Sequence, residues 1–123
     1  MHILVVEEKF ELGRLWARHL ERGGHSVDVV GTQGEAVEIL RHRDVQVIVL
    51  DVVLPGGSAL AIADFASYRQ PDAKVVFVTN TTFFSDGSIF RHAPNACAFL
   101  QSDTDPADLA MMVSHYGGLA RSA

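Results

Sequence analysis

Short, nearly continuous apolar runs alternate along the chain with longer segments in which apolar residues recur every three or four positions. The short runs are rich in valine and isoleucine, which favours β-strands, and the longer segments have the spacing of amphipathic helices. The sequence predicts five strands, at residues 3–6, 26–30, 45–50, 75–79 and 96–100. Three of them are apolar almost throughout, which is typical of parallel strands buried on both faces. We therefore predict an α/β fold built on a doubly wound, five-stranded parallel sheet.

Capping residues and glycines mark the predicted helix ends. In "TQGE", Thr32 is expected to cap the second helix, and in "DPAD", Asp105 is expected to cap the last one. The third helix is predicted over residues 58–68, and Gly117 with the glycine after it is expected to end the last helix. The connection after the fourth strand leaves room for only a short helix, at residues 88–92, because a glycine and a proline flank it.

Length, composition and charge narrow the class of protein. The 123 residues suit a single domain, residues 1–123, and no apolar stretch approaches the roughly 18 residues needed to cross a bilayer. The amino terminus has no basic flank or cleavage site, so we expect a soluble, cytoplasmic protein. The net charge of −5, without clustered lysine or arginine, argues against direct binding to nucleic acid. The single cysteine, Cys97, cannot form an internal disulfide and is expected to be a buried thiol.

Polar residues follow the predicted strands at their carboxyl ends. Glu7 and Glu8 come after the first strand, Asp51 comes after the third, and Thr79 ends the fourth. Ligands of open parallel sheets bind at this edge, where three carboxylates would repel one another unless a cation shared the site. Oxygen ligands of this kind suit Mg²⁺. The pattern predicts a magnesium site in which Asp51 is a nucleophile for a phosphoryl group and Thr79 donates a hydrogen bond to that group.

The segments "ILVVEE", "VIVLDVVLPGGSAL", "VVFVTN" and "AFLQSDTD", in this order, resemble the receiver domain of bacterial response regulators in two-component systems. The resemblance covers essentially the whole chain. It implies the flavodoxin-like (βα)₅ receiver fold and a role in phosphorelay signal transduction, in which Asp51 accepts a phosphoryl group from a histidine kinase or a phosphotransfer protein. It also implies a signalling domain that is not an enzyme, beyond self-phosphorylation and self-dephosphorylation.

The resemblance also assigns roles to individual positions. The family's acidic pair that binds Mg²⁺ falls on Glu7 and Glu8, together with the phosphoacceptor itself. The residue two positions beyond the phosphoacceptor, Val53, supplies a backbone carbonyl to the metal. The hydroxyl residue that ends the fourth strand is Thr79, and the aromatic residue that turns inward on activation is Phe99.

Four positions depart from the family's pattern. Glu8 is one methylene longer than the usual aspartate, which puts the affinity for Mg²⁺ in doubt because this ion demands near-ideal octahedral geometry. Asn80 replaces a small residue after the fourth strand and could crowd the phosphoryl group. The lysine and proline that follow the fifth strand in the family are replaced by Ser102 and Asp103. The cation that contacts the phosphoryl group is therefore missing, and we expect an atypical receiver.

The chain has two lysines, neither at the family's position. Lys74 begins the fourth strand, so its five-residue separation from Thr79 corresponds to roughly 17 Å along an extended chain. Lys9 follows Glu8 directly, and its flexible stem could bring an ammonium near Asp51 or pair it with the neighbouring carboxylates. Whether Lys9 replaces the missing lysine is left open by the sequence.

Two functional classes remain open at this stage. One is the phosphorylation-controlled receiver, and the other is a pseudo-receiver that acts as a phosphorylation-independent binding or dimerisation module. In the family, the fourth helix, fifth strand and last helix form a common output or homodimer surface. The residues expected at such a surface here are Phe84, Phe90 and Met111.

Overall fold

The computed structural model describes residues 1–79 and 93–122, and for residues 119–122 it describes the backbone. The strands are β1 (His2–Val6), β2 (Ser26–Val30), β3 (Val47–Asp51), β4 (Lys74–Thr79) and β5 (Ala96–Gln101). The helices are α1 (Phe10–Arg22), α2 (Gln33–His42), α3 (Ala59–Arg69) and α4 (Pro106–Ser122). All neighbouring strands are parallel, in the order β2-β1-β3-β4-β5. The doubly wound, five-stranded α/β fold predicted from the sequence is thereby confirmed.

Each face of the sheet carries its own hydrophobic core, because side chains alternate across a strand. Ile3 and Val5 of β1 point to the face covered by α1 and α4, where Trp16 is completely buried. Leu4 and Val6 point to the face covered by α2 and α3. The same alternation continues through β3, and it decides which side of the sheet each residue at the strand ends occupies.

The predicted helix starts are present with their caps. The Thr32 hydroxyl accepts a hydrogen bond from the Glu35 N–H, and the Glu35 carboxylate returns to the Gly31 N–H, at 3.2 and 3.3 Å. The Ser58 hydroxyl accepts from the Ala61 N–H and so starts α3 one residue later than predicted. These short side chains satisfy backbone donors that a helix leaves without partners in its first turn.

The last helix continues past the two glycines that were predicted to end it. A β-carbon at Gly117 would overlap the end of the Met1 side chain and lie 3.3 Å from a Val47 methyl group, so a larger residue there would displace Met1. A helical glycine costs about 1 kcal/mol relative to alanine. Gly117 is nevertheless buried within the helix, close to Met1 and Val47.

Several predictions concern residues outside the described part of the chain. These are the crowding effect of Asn80, the short helix at residues 88–92, and the surface positions Phe84 and Phe90. Met111 lies on α4 and is 66% exposed. Among the residues that the structure describes, none of the helices combines the length and apolar character needed to span a bilayer.

Candidate functional site

The carboxyl groups of Glu7 and Asp51 meet at the carboxyl edge of the sheet. β1 pairs with β3 in a constant register that aligns Val5 with Val49 and Val6 with Leu50, so Glu7 continues the ladder opposite Asp51. The Glu7 N–H still bonds to the Val30 carbonyl at 2.9 Å, which keeps this residue in the sheet. Because both residues follow the odd-numbered positions that face α1 and α4, they occupy the same side of the sheet.

Glu7 is a buried acid, with only 2% of its surface exposed. Its Oε1 atom accepts a hydrogen bond from the Lys9 N–H at 3.2 Å, whereas Oε2 is buried and has no hydrogen-bond partner among the described residues. The pKa of Glu7 is raised from 4.5 to about 8, chiefly by burial and next by the neighbouring Asp51 carboxyl group. Burial and a neighbouring carboxylate both favour the protonated form of Glu7.

A tight turn follows Asp51 and holds its carboxylate in place. The Val53 N–H donates to the Asp51 Oδ1 atom at 2.9 Å, while the Val52 N–H continues the ladder to the Val78 carbonyl. Gly56 then adopts a φ of +70°, a left-handed conformation that glycine reaches without steric cost. The Asp51 carboxylate is therefore oriented by its own loop, and Oδ2 is the oxygen that this amide leaves free.

Gln33, at the start of α2, binds the loop between β3 and α3, and the sequence did not predict this contact. The Gln33 side chain accepts a hydrogen bond from the Ser58 N–H at 2.8 Å, and a β-carbon at Gly57 would lie 3.0 Å from the Gln33 β-carbon. Gln33 begins α2, so the start of that helix sets the position of the loop. No local motif marks this contact, because it joins residues 25 positions apart.

The acidic pair divides between two environments. Glu8 is exposed, in contrast to the buried Glu7, and the described residues contain no group of three metal-ligating side chains close enough to hold an ion. Mg²⁺ usually binds one or two carboxylates and keeps several waters. The buried Oε2 atom of Glu7 beside Asp51 therefore fits the donor set of a magnesium site. Glu8 does not join this pair.

Thr79 and Phe99 lie on the next two strands. Thr79 ends β4 and is completely buried, and Asp51 aligns with Val78, the residue before it. Phe77 pairs with Phe99 across β4 and β5, and both belong to the core that faces α2 and α3. Phe99 is half-buried in this packing. Thr79 therefore ends the strand next to Asp51, and Phe99 lies one strand further along the sheet, on the face opposite to the one that Glu7 and Asp51 share.

Ser102 and Asp103 occupy the edge where the family's lysine and proline would stand. The Ser102 N–H donates to the Thr79 carbonyl at 2.7 Å, which holds residue 102 beside the end of β4. Ser102 is half-buried and Asp103 is exposed. These two residues therefore present a hydroxyl and a carboxylate at the positions where the family has a lysine and a proline.

Gly13 is a second residue that sequence reasoning missed. It lies in the first turns of α1, where a β-carbon would come within 2.9 Å of a Val29 methyl group and 3.4 Å of the Glu7 β-carbon. An isolated glycine inside a helical pattern is the signal that could have drawn attention to it, since such a glycine often has a packing reason. Gly13 lets α1 approach the Glu7 side chain closely.

We expect Gly13→Ala to lower the free energy of unfolding by about 1 kcal/mol or more, because crowding against the stiff Val29 side chain outweighs the gain of about 1 kcal/mol in helix propensity. Urea titration followed by Trp16 fluorescence measures it. The same substitution in a Val29→Ala background should cost less, since the closest contact is then absent. A Gly13→Ala protein as stable as the wild type would contradict this account of the packing.

The family and structural comparisons agree with this arrangement. The response regulator receiver domain family matches residues 3–113. The luminescence regulatory protein LuxO of Vibrio campbellii is 29% identical over 75 residues, which cover 61% of this chain and 17% of LuxO. The chain thus spans about a sixth of the length of that relative.

Solved structures show the same fold at low sequence identity. A CheY-like receiver domain protein from Methanospirillum hungatei superimposes with a TM-score of 0.88 at 21% identity, covering 98% of this chain and 96% of that one. The response regulator TrrA from Thermotoga maritima, solved in complex with Mg²⁺ and BeF, gives a TM-score of 0.80 at 21% identity, covering 94% and 97%. The parallel sheet, the aspartate at the end of β3 and the family match over most of the chain lead to one conclusion: this protein belongs to the response regulator receiver domain family.

Proposed function

We propose that this receiver domain accepts a phosphoryl group on Asp51 from a histidine kinase or a phosphotransfer protein, in a reaction that requires Mg²⁺. Receiver domains are signalling domains and interact with kinases or phosphotransfer proteins. The observation that carries the proposal is the buried Glu7 carboxyl beside Asp51, with its Oε2 atom left without a hydrogen-bond partner among the described residues. A buried acid in this position destabilises the fold, and a functional site is the common reason for keeping one.

Asp51 is the nucleophile in this proposal. An electron pair on its carboxylate forms the bond to phosphorus, and the bond between phosphorus and the donor's imidazole nitrogen breaks, leaving its electron pair on that nitrogen. The Val53 N–H on Oδ1 keeps the carboxylate in one orientation, so Oδ2 is the attacking oxygen. Positioning of this kind supplies much of the catalysis in phosphoryl transfer, where the protein has little covalent chemistry to perform.

Glu7, Asp51 and the Val53 carbonyl are the groups that would hold Mg²⁺, with Glu8 available from the exposed side of the loop. When bound, the ion neutralises negative charge on the phosphoryl oxygens and on the carboxylates. Ionised Glu7 supplies the charge at the buried end of the site. TrrA, which shares the fold, was solved in complex with Mg²⁺ and BeF, and this supports the proposal.

Thr79 and Phe99 would transmit the effect of phosphorylation at Asp51 to the rest of the domain. The Thr79 hydroxyl donates a hydrogen bond to the phosphoryl group, and Phe99 responds by packing further inward against the core that faces α2 and α3. Phe99 is half-buried, so part of its surface is still available for burial in such a change. The exposed Met111 on α4 marks the surface through which the domain would form a homodimer or meet an output partner.

The proposal is tested by incubating the protein with Mg²⁺ and phosphoramidate and recording the intact mass. We expect the wild type to gain one phosphoryl group, and both a chelator and Asp51→Asn to prevent the gain. Asp44→Asn is the matched control, because Asp44 is exposed and stands before β3, at the opposite edge of the sheet. A gain of one phosphoryl group by the Asp51→Asn protein would mean that another residue is the phosphoacceptor.

The second candidate function is a pseudo-receiver that binds a partner or dimerises without phosphorylation. It is favoured by one observation: the edge beside Thr79 presents Ser102 and Asp103 instead of a cation. No mass gain at saturating Mg²⁺ would support this candidate and reject the first. A dimer that forms equally in wild type and Asp51→Asn protein, measured by light scattering, would support it independently.

A further inference from the structure

The backbone of Lys9 is fixed beside Glu7. Its N–H donates to the Glu7 Oε1 atom at 3.2 Å, and its carbonyl accepts a hydrogen bond from the Gly13 N–H at 3.0 Å. Lys9 is the residue before the first turn of α1, with an extended backbone at φ −78° and ψ 100°. Hydrogen bonds on both sides therefore hold the Lys9 Cα atom close to the carboxyl pair of Glu7 and Asp51.

The side chain of Lys9 is not committed to a structural contact. It is exposed and makes no capping hydrogen bond to α1, and within the described ranges its ammonium lies within 4 Å of no carboxylate. Its charge nevertheless acts on the Glu7 carboxyl. A lysine side chain is a flexible stem with a point charge at its end, so Lys9 can place an ammonium over the site without moving its backbone.

The other lysine of the chain cannot serve this site. Lys74 is the first residue of β4 and pairs with Val47, the first residue of β3, at the amino edge of the sheet. Asp51 and Thr79 are the last residues of the same two strands. At the carboxyl edge, Ser102 and Asp103 supply no positive charge. Lys9 is thus the lysine whose backbone is anchored beside the carboxyl pair.

We propose that the Lys9 ammonium binds a phosphoryl oxygen on Asp51 and takes over the contact that the family makes from a lysine after the fifth strand. This inference rests on the proposed function. The contact is an ionic hydrogen bond, in which the ammonium donates and the phosphoryl oxygen accepts, and no covalent bond changes. The positive charge that contacts the phosphoryl group would then lie on the loop between β1 and α1. The phosphoryl group would thus be coupled to the start of α1 and not to the loop after β5.

The experiment measures binding of beryllofluoride with Mg²⁺ to the full chain by titration calorimetry, and binding of Mg²⁺ alone in parallel. We expect Lys9→Ala to weaken beryllofluoride affinity by about tenfold or more, the loss typical of a hydrogen bond to a charged group. Mg²⁺ affinity should stay equal or become tighter, because removing a cation near Glu7 cannot disfavour a second cation. Lys9→Arg should retain part of the beryllofluoride affinity, and Lys9→Gln should not.

Lys74→Ala is the matched control, since it removes the same side chain from the opposite edge, and its beryllofluoride affinity should equal that of the wild type. Wild-type affinity in Lys9→Ala would overturn the Lys9 assignment while leaving the phosphoacceptor proposal in place. A loss of Mg²⁺ affinity in Lys9→Ala matching its loss of beryllofluoride affinity would also overturn it, because the effect would then act through the metal. Failure of the wild type to bind beryllofluoride would overturn both proposals.

Discussion

Glu7→Gln should make the metal-free protein more stable than the wild type at pH 9, while the two proteins should differ little near pH 5. Glutamine has the shape of a protonated glutamate, so its carbonyl oxygen can keep the hydrogen bond from the Lys9 N–H. Its amide carries no charge, so neither burial nor the neighbouring Asp51 carboxylate disfavours it. Glu7→Gln therefore has an uncharged side chain at every pH, whereas the wild type has one only when Glu7 is protonated.

The sign of this stability difference follows from how tightly the folded and unfolded states bind the Glu7 proton. The pKa of Glu7 is about 8 in the folded protein and near 4.5 in the unfolded chain, so the folded state holds this proton more tightly. The resulting stability is fully present below pH 4.5 and is lost as the pH rises through 8. One pKa unit corresponds to about 1.4 kcal/mol, so we expect a loss on the order of a few kcal/mol in the wild type and none from this position in Glu7→Gln.

Urea unfolding between pH 5 and 9, in a buffer with chelator, measures this difference, and the single tryptophan, Trp16, reports it from the core. Subtracting the two proteins' profiles removes the contribution of every titratable group that they share. Asp51→Asn should flatten the profile less than Glu7→Gln, because burial remains when the neighbouring charge is gone. Parallel profiles for wild type and Glu7→Gln would contradict the buried, protonated acid.

The hydrophobic pattern alone predicted the order and type of most helices and strands. Strands that are buried on both faces are apolar almost throughout, and few other structures are compatible with such short apolar runs. The prediction's errors at element ends come from contacts between distant residues. The third strand was predicted from Val45 but begins at Val47, since the Val45 N–H bonds to the Gln70 side chain at 2.7 Å. The last helix passes Gly117, which lies against Met1. Neither partner is close in sequence.

The sequence predicts at which edge of the sheet the site lies, but it does not predict which of the two adjacent glutamates is buried beside Asp51. Glu7 and Glu8 are chemically alike, and the sequence offers both as ligands. Alternation of side chains separates them, because Glu7 shares the side of the sheet taken by Ile3 and Val5 whereas Glu8 is exposed. The pairing register then brings Glu7 opposite Asp51. A single sequence does not state that register, so the buried pair emerges only once the sheet is assembled.

Ser102→Lys should strengthen beryllofluoride binding in the presence of Mg²⁺ by about tenfold or more, the gain expected of a new hydrogen bond to a charged group. The Ser102 N–H is bonded to the Thr79 carbonyl at 2.7 Å, and lysine keeps that N–H, so the backbone should not change. This backbone bond keeps residue 102 at the edge that carries Asp51 and Thr79. The substitution tests whether this edge can still stabilise a phosphoryl group when it is given a cation.

The decisive comparison is the same substitution with and without Lys9. In a Lys9→Ala background, Ser102→Lys should restore the lost affinity, and the gain there should exceed the gain in the wild type, because two ammonium groups that serve one phosphoryl oxygen are not additive. Ser102→Gln, which adds length without charge, should change neither background. Equal gains in both backgrounds would mean that Lys9 does not contact the phosphoryl group. No gain in either background would mean that a lysine at position 102 does not contact the phosphoryl group.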